Sequence, residues 1–274
     1  MLPYTVTGQN GVAVLFLHFL GGSQLEWLEV TERLAGTHRC VTVDLPGFGD
    51  AARISGYSVV EMADSVTELV AHLHLGNYVL AGHSMAGKVC MAVTRRLLSD
   101  DVGPDPPAGL ILVAPSPPSP EPIKDEKRMD MLNSLGVRRQ RPGTDERKQA
   151  TRYLHDNIAR PLPDEKLQRT IDELLRMNPA AWTAWLEAGS REDWSHRVGV
   201  LDIPSLLLSG RDDQGLGPDV QTALTLPHLA QAQQVVLACS HLIPLEMPDQ
   251  AARHISLFLE SLGCVQPLQR SKHA

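Results

Sequence analysis

Several stretches of the chain are apolar, short and uninterrupted. Residues 12–17 read Val-Ala-Val-Leu-Phe-Leu, residues 108–114 read Ala-Gly-Leu-Ile-Leu-Val-Ala, and residues 203–209 read Ile-Pro-Ser-Leu-Leu-Leu-Ser, with shorter runs at 39–43 and 77–81. Runs of this length without polar alternation are what strands buried on both faces of a parallel sheet require. Residues 1–8 and 234–238 read as two further strands, and Pro204 is tolerable because it stands at a strand start. Between the runs the apolar positions change to helical spacing. Ser58 and Glu61 form a capping box ahead of Val59, Ala63, Val66, Val70 and Leu73, which predicts a helix to about residue 75. Residues 23–34 (Trp27, Leu28, Leu34), 88–98 (Val89, Ala92, Val93, Leu97) and the segment after Pro248 (Ala252, Ile255, Leu259, Leu262) read the same way.

Alternating strand and helix predicts an α/β fold: a mostly parallel central sheet with helices on both faces. The alternation then breaks. Residues 115–122 hold five prolines in eight positions, which excludes a helix or a central strand. From 123 to 198 the pattern is helical only, at 124–135, 145–158, 164–177 and 179–188. The expected organisation is a core from 1–114 and 201–274, interrupted by an α-helical insertion at 115–200. Leu132, Leu154, Leu174, Met177, Trp182 and Trp185 are its candidate pocket walls. Its Lys and Arg residues alternate with acids, which marks solvated helix faces and not a phosphate site.

Composition narrows the partners. A chain of 274 residues, 43% apolar, needs no disulfide or metal staple, because a domain of this size buries about three quarters of its unfolded surface. The formal charge of -7 argues against nucleic acid. Cys40, Cys90, Cys239 and Cys264 are scattered without metal-ligand spacing and read as free thiols. The N-terminus lacks a basic region and a cleavage site, and its longest apolar run is too short for a membrane span, so a cytoplasmic monomer or homodimer is expected.

The chemistry centres on residues 79–90, Val-Leu-Ala-Gly-His-Ser-Met-Ala-Gly-Lys-Val-Cys. A strand, a tight turn and a helix in that order lift the Ser84 hydroxyl clear of the sheet. Such a turn needs small residues two before and two after its centre, and Gly82 and Ala86 stand there. This stretch resembles the G-x-S-x-G nucleophile elbow of the α/β-hydrolase family, with Ala86 in place of the second glycine. Three further segments carry the resemblance. His18-Phe19-Leu20-Gly21-Gly22 is similar to the family's oxyanion loop, with Phe19 replacing a usual glycine. Gly210-Arg211-Asp212-Asp213 matches the G-x-x-D that carries the acid. His241-Leu-Ile-Pro-Leu-Glu246-Met-Pro248 matches the closing H-x-x-x-x-E-x-P, with Ser240 where glycine is usual. The Asp44-Leu-Pro-Gly-Phe-Gly segment also fits the family, Asp44 reading as a turn former and His18 as a structural residue that holds its loop.

The resemblance implies a Ser-His-Asp triad of Ser84, His241 and Asp213, with Asp212 as competitor for the acid. Met85 and Leu20 would supply the oxyanion N–H groups, and Phe19, His83, Met177, Trp182, Trp185 and Leu242 would lie around the substrate pocket. The implied reaction is hydrolysis of an ester or thioester with an apolar acyl or alkyl part, through an acyl-enzyme, without metal or organic cofactor, under a helical lid. A serine elbow disfavours the branches that need a carboxylate nucleophile. Carbon–carbon bond hydrolysis, lyase or perhydrolase chemistry on the same triad, and a non-catalytic scaffold, are the alternatives.

Overall fold

The structure is a computed structural model and describes residues 1–100, 103–136 and 145–263. Cys264 and the polar tail expected from residue 266 lie outside the described residues. Seven strands form one sheet: β1 Tyr4–Thr7, β2 Ala13–Leu17, β3 Arg39–Val43, β4 Tyr78–His83, β5 Gly109–Val113, β6 Leu201–Gly210 and β7 Leu229–Leu237. Their order across the sheet is β1-β3-β2-β4-β5-β6-β7, with β1 antiparallel to β3 and every other pairing parallel. The chain thus builds outward from β2 in one direction and from β4 in the other. Their adjacent carboxyl ends form the switch point where open α/β sheets place their sites. In register, Leu17 pairs with Gly82, so the loop after β2 and the turn after β4 start level with each other.

The helices are α1 Leu28–Leu34, α2 Val59–Leu73, α3 Met85–Ser99, α4 Asp125–Leu135, α5 Glu146–Asp156, α6 Asp164–Arg176, α7 Pro179–Glu187, α8 Ser195–Val198, α9 Pro218–Leu224, α10 Ile243–Glu246 and α11 Pro248–Gly263. Alternate residues of the central strands feed two apolar layers. Leu15, Leu17, Leu80, Leu110 and Leu112 meet α2 and α3 on one face, while Val14, Phe16, Val79, Ala81 and Ile111 meet α1 and α11 on the other. This two-sided demand explains why β2 and β5 are apolar at every position and β4 carries a polar side chain only at its last residue, His83. The capping box at α2 is present in both directions, Ser58 accepting from the Glu61 N–H and Glu61 from the Ser58 N–H.

Several elements differ from the expectation. The strand predicted at 234–238 begins at Leu229, because β7 pairs only with β6 and its exposed Ala-Gln-Ala-Gln stretch needs no apolar side chains. The helix predicted at 23–34 opens as a 3-10 turn, Gln24–Trp27, where the Ser23 hydroxyl accepts from Leu25 and the Asp44 carboxylate takes the Gln24 N–H at 2.7 Å. Helices α8, α9 and α10 have no counterpart among the predicted segments, although Pro218 stands at the first position of α9, a common start.

Helices α4 to α7 follow the predicted segments closely and lie between β5 and β6. Residues connecting α5 to α6 are bonded to the segment after β7: the Asn157 carbonyl accepts from the His241 and Leu242 N–H groups, each at 3.2 Å, and Glu246 accepts from Ala159 at 2.7 Å. The Lys166 ammonium adds a bond to the Leu245 carbonyl at 2.9 Å. Among the described residues no helix is long and apolar enough to cross a membrane.

Candidate active site

Ser84 terminates β4 and caps α3 with φ +55° and ψ -119°, a conformation that non-glycine residues avoid and that costs on the order of 1–3 kcal/mol. Backbone bonds hold it there. Its N–H donates to Val113 O at 2.9 Å, and its carbonyl accepts from Ser116 N and Gly87 N, each at 2.8 Å. The turn closes so tightly that a Cβ on Gly82 would lie 2.6 Å from Ala86 O and 2.7 Å from Cys90 Sγ. Ala86, by contrast, is accommodated with its side chain buried.

Three groups are bonded in series at the carboxyl edge of the sheet. The Ser84 hydroxyl donates to His241 Nε2 at 2.9 Å, and His241 Nδ1–H donates to Asp213 Oδ2 at 2.7 Å. The second oxygen of Asp213 accepts from Gly215 and Leu216 N–H at 2.9 and 3.0 Å. Burial opposes charge on Asp213, but His241 and these backbone donors outweigh it and hold the carboxyl down at about 2. Burial likewise favours neutral His241, yet the Asp213 carboxylate prevails and raises the imidazole above its ordinary value. Asp212, the competing acid, is half-exposed and faces Arg211 at 3.5 Å. The geometry brings Asp213 to His241 and leaves Asp212 outside.

The loop after β2, expected to serve the oxyanion, is held by several hydrogen bonds. His18 Nδ1–H donates to Phe19 O at 2.7 Å, His18 Nε2 accepts from Leu45 N–H at 3.0 Å, and Gly22 N–H also donates to Phe19 O at 3.0 Å. Both nitrogens of His18 are therefore engaged in holding the loop. Asp44 takes bonds from Gln24 and Asp50 N–H, the turn-forming role expected of it. Because the Phe19–Leu20 peptide is planar and trans, pinning the Phe19 carbonyl aims the Leu20 N–H the opposite way. Met85 is the first residue of α3, so its N–H has no partner within the helix.

Phe19 is not the disturbance its side chain suggests. Its φ is negative, and its ring fills space that Gly22 leaves free, since a Cβ there would lie 2.6 Å from it. The residues expected around a pocket are packed: Phe19, His83, Met177, Trp182, Trp185 and Leu242 are each at most 2% exposed. His83 is not a ligand-facing side chain here, because both of its nitrogens bond to protein, Nδ1 to Glu26 and Nε2 to the His241 carbonyl. Trp182 donates to Met131 O, and Leu174, Met177 and Trp182 cover Gly21 of the oxyanion loop. Ser84 itself retains 9% exposure.

Sequence reasoning missed Glu26 and Asn157. Glu26 stands beside the fully buried Trp27 and is itself buried, yet a single acid in a helical pattern reads as a solvent-facing residue. The role of Asn157 is played by its backbone carbonyl, which no side-chain pattern reports. Among the described residues no cluster of His, Cys, Asp and Glu is arranged to hold a metal ion.

This sheet order and strained serine turn point to the class. The chain belongs to the α/β hydrolase fold family, whose model matches residues 12–248. It is similar along most of its length to the monoacylglycerol lipase abhd6-B of Xenopus laevis, at 25% identity over 94% of this chain and 79% of that one. A solved thermophilic esterase from Thermogutta terrifontis has 27% identity and a TM-score of 0.78, covering 95% of this chain and 93% of its own. A more local likeness, 33% over 91 residues, links it to the dihydrolipoyllysine-residue acetyltransferase component of the acetoin cleaving system of Pseudomonas putida, covering 33% of this chain and 25% of that protein. The chain likewise spans 33% of the length of a second relative matched over 91 residues. The chain therefore carries the α/β-hydrolase fold.

Proposed function

We propose that the protein hydrolyses a carboxylic ester or thioester through an acyl-enzyme, with Ser84 as nucleophile, His241 as base and Asp213 as the group that orients it. The observation that carries this reading is the continuous hydrogen-bond series from Ser84 Oγ through His241 to Asp213. A serine hydroxyl attacks a carbonyl only if a base removes its proton as the bond forms. His241 accepts that proton at Nε2, and Asp213 stabilises the resulting imidazolium and fixes the tautomer with Nδ1 protonated. The tetrahedral oxyanion is received by the N–H groups of Met85 and Leu20, the first at a helix N-terminus where negative charge is favoured. His241 then protonates the leaving group, and water repeats the sequence to free the acid. Names among the relatives, a monoacylglycerol lipase and an esterase, support acyl esters as the substrate class.

Residues 115–200 act in this reading as a lid inserted in the core. Its apolar underside, with Trp182 and Leu174 against the oxyanion loop, excludes water and favours an apolar acyl or alkyl group. Since the candidate wall residues are packed together, admitting such a group requires α6 and α7 to move outward.

The test is labelling with a serine-reactive fluorophosphonate, followed by peptide mass spectrometry and an ester and thioester series of increasing acyl length. The expected adduct is on Ser84 in the unaltered protein and is missing from His241→Ala. A folded protein that takes up label at another residue, or at Ser84 regardless of His241, would overturn the reading.

A further inference from the structure

Glu26 and His83 form a buried pair that the hydrolytic steps above do not use. Their side chains are 1% and 0% exposed. Glu26 Oε1 lies 2.5 Å from His83 Nδ1, Glu26 Oε2 accepts the Phe19 N–H at 2.9 Å, and His83 Nε2 lies 2.9 Å from the His241 carbonyl oxygen. A carbonyl oxygen can only accept, so His83 Nε2 bears a hydrogen. A second hydrogen must then lie between Nδ1 and Oε1, because two bare lone pairs would repel at that separation. The pair holds two hydrogens and is neutral as a unit, whichever atom carries the shared one. That neutrality is what makes a carboxyl and an imidazole tolerable without water around them.

We propose that Glu26 and His83 are positioning residues that tie the oxyanion loop to the backbone of His241. The inference rests on the hydrolytic reading of Leu20 and His241 given above. At one end, Glu26 fixes the Phe19 N–H while His18 and Gly22 fix the Phe19 carbonyl, so the peptides on both sides of Phe19, including the one bearing the Leu20 N–H, are held. At the other end, His83 holds the His241 carbonyl while Asn157 O takes the His241 N–H. The His83 and His241 rings lie 5.2 Å apart, so a shift of one displaces the other. One hydrogen-bonded unit thereby sets the distance between the donor that receives the oxyanion and the base that serves the nucleophile.

The bond pattern specifies which substitution is harmless. A glutamine at position 26 accepts from Phe19 N–H through its carbonyl and donates to His83 Nδ1 through its amide, so all three contacts survive. A leucine at position 26 keeps the volume and removes both bonds. Glu26→Leu is expected to lower kcat about 100-fold with KM changed little, as a misplaced catalytic constellation does. Glu26→Gln is expected to retain kcat within about threefold.

A readout independent of turnover accompanies the kinetics. Histidine NMR of the unaltered protein and of Ser84→Ala should show a far-downfield hydrogen on the His83 Nδ1 contact. Glu26→Leu should lose that signal and shift the ring signals of His241, and Glu26→Gln should return the His241 signals to their original place. If His241 signals and kcat are both unmoved in Glu26→Leu, or if Glu26→Gln is as damaged as Glu26→Leu, the tie does not exist in the form proposed. Should Glu26→Leu not fold, the downfield hydrogen in the unaltered protein and the behaviour of Glu26→Gln still decide. A protein that shows these NMR effects but takes no label at Ser84 would refute the hydrolytic reading and leave the tie standing.

Discussion

Ser84 occupies a backbone conformation that only its surroundings maintain. Its N–H and carbonyl are held by Val113, Ser116 and Gly87, and its hydroxyl is thereby directed at His241 rather than at a local carbonyl. Removing either partner of this bond should be decisive: Ser84→Ala and His241→Ala are each expected to abolish turnover. Asp213→Asn should lower kcat by on the order of 10⁴-fold, because the amide favours the wrong imidazole tautomer. Asp212→Asn should change it little, and steady-state kinetics on one ester will separate the two. The charge balance also sets the pH profile. In the proposed mechanism turnover needs neutral His241, and Asp213 raises its pKa, so kcat/KM should fall on the acid side with a midpoint above the ordinary histidine value of 6.5. Removing the carboxylate in Asp213→Asn withdraws that stabilisation of the imidazolium, and the acid limb should move to lower pH.

At the scale of elements, the elbow depends on β4 and α3 meeting without room for a side chain at position 82. Gly82→Ala places a methyl group against Ala86 O, and either the turn opens or α3 shifts. The expected cost is about 1–3 kcal/mol, readable as a lower urea midpoint, together with loss of fluorophosphonate labelling. A second junction joins the helical insertion to the segment after β7. Glu246 accepts from Ser240 at 2.9 Å, from Ala159 at 2.7 Å and from Arg160 at 3.3 Å, so it bridges the residue before His241 to the segment between α5 and α6. Glu246→Ala leaves these donors without their acceptor and should destabilise the protein by about 1–3 kcal/mol. Thermal unfolding and kcat measured on the same variant will show whether His241 loosens with the insertion.

Across the whole molecule, one sheet serves two apolar layers, and the strands that carry the site are shared by both. Cys90 lies in one layer, and Cys40 and Cys239 lie in the other. Burial pushes the Cys40 and Cys239 thiols up to about 12, and raises Cys90 as well, so none is a reactive thiolate in the folded state. In a Cys264→Ser background, thiol reagents should leave the folded protein unmodified. In urea, the three thiols should become reactive at one common midpoint, because neither layer can dissolve while the sheet persists. Separate midpoints would show that the layers unfold independently.

Much of this was legible in the sequence because burial on two faces leaves no freedom of composition. The runs that became β2, β3 and β5, the capping box of α2 and the four helical segments between β5 and β6 follow directly from apolar spacing. Ser84 was legible because its turn demands small residues at positions 82 and 86, whereas Asp213 and His241 were singled out by the resemblance of their segments to the α/β-hydrolase motifs. The edge strand β7 was legible only in part, since a strand with one neighbour and solvent on its faces need not be apolar. What only the tertiary structure decided are contacts between segments distant in sequence. Asp213 rather than Asp212 reaches His241 because the chain after β6 turns at Gly210. Phe19 is absorbed by the space at Gly22, and the candidate pocket residues pack upon one another. Glu26, His83 and the His241 carbonyl meet although 57 and 158 residues separate them along the chain. Local sequence sets which backbone conformations are cheap, whereas the pairing of buried polar groups depends on which surfaces the fold brings face to face.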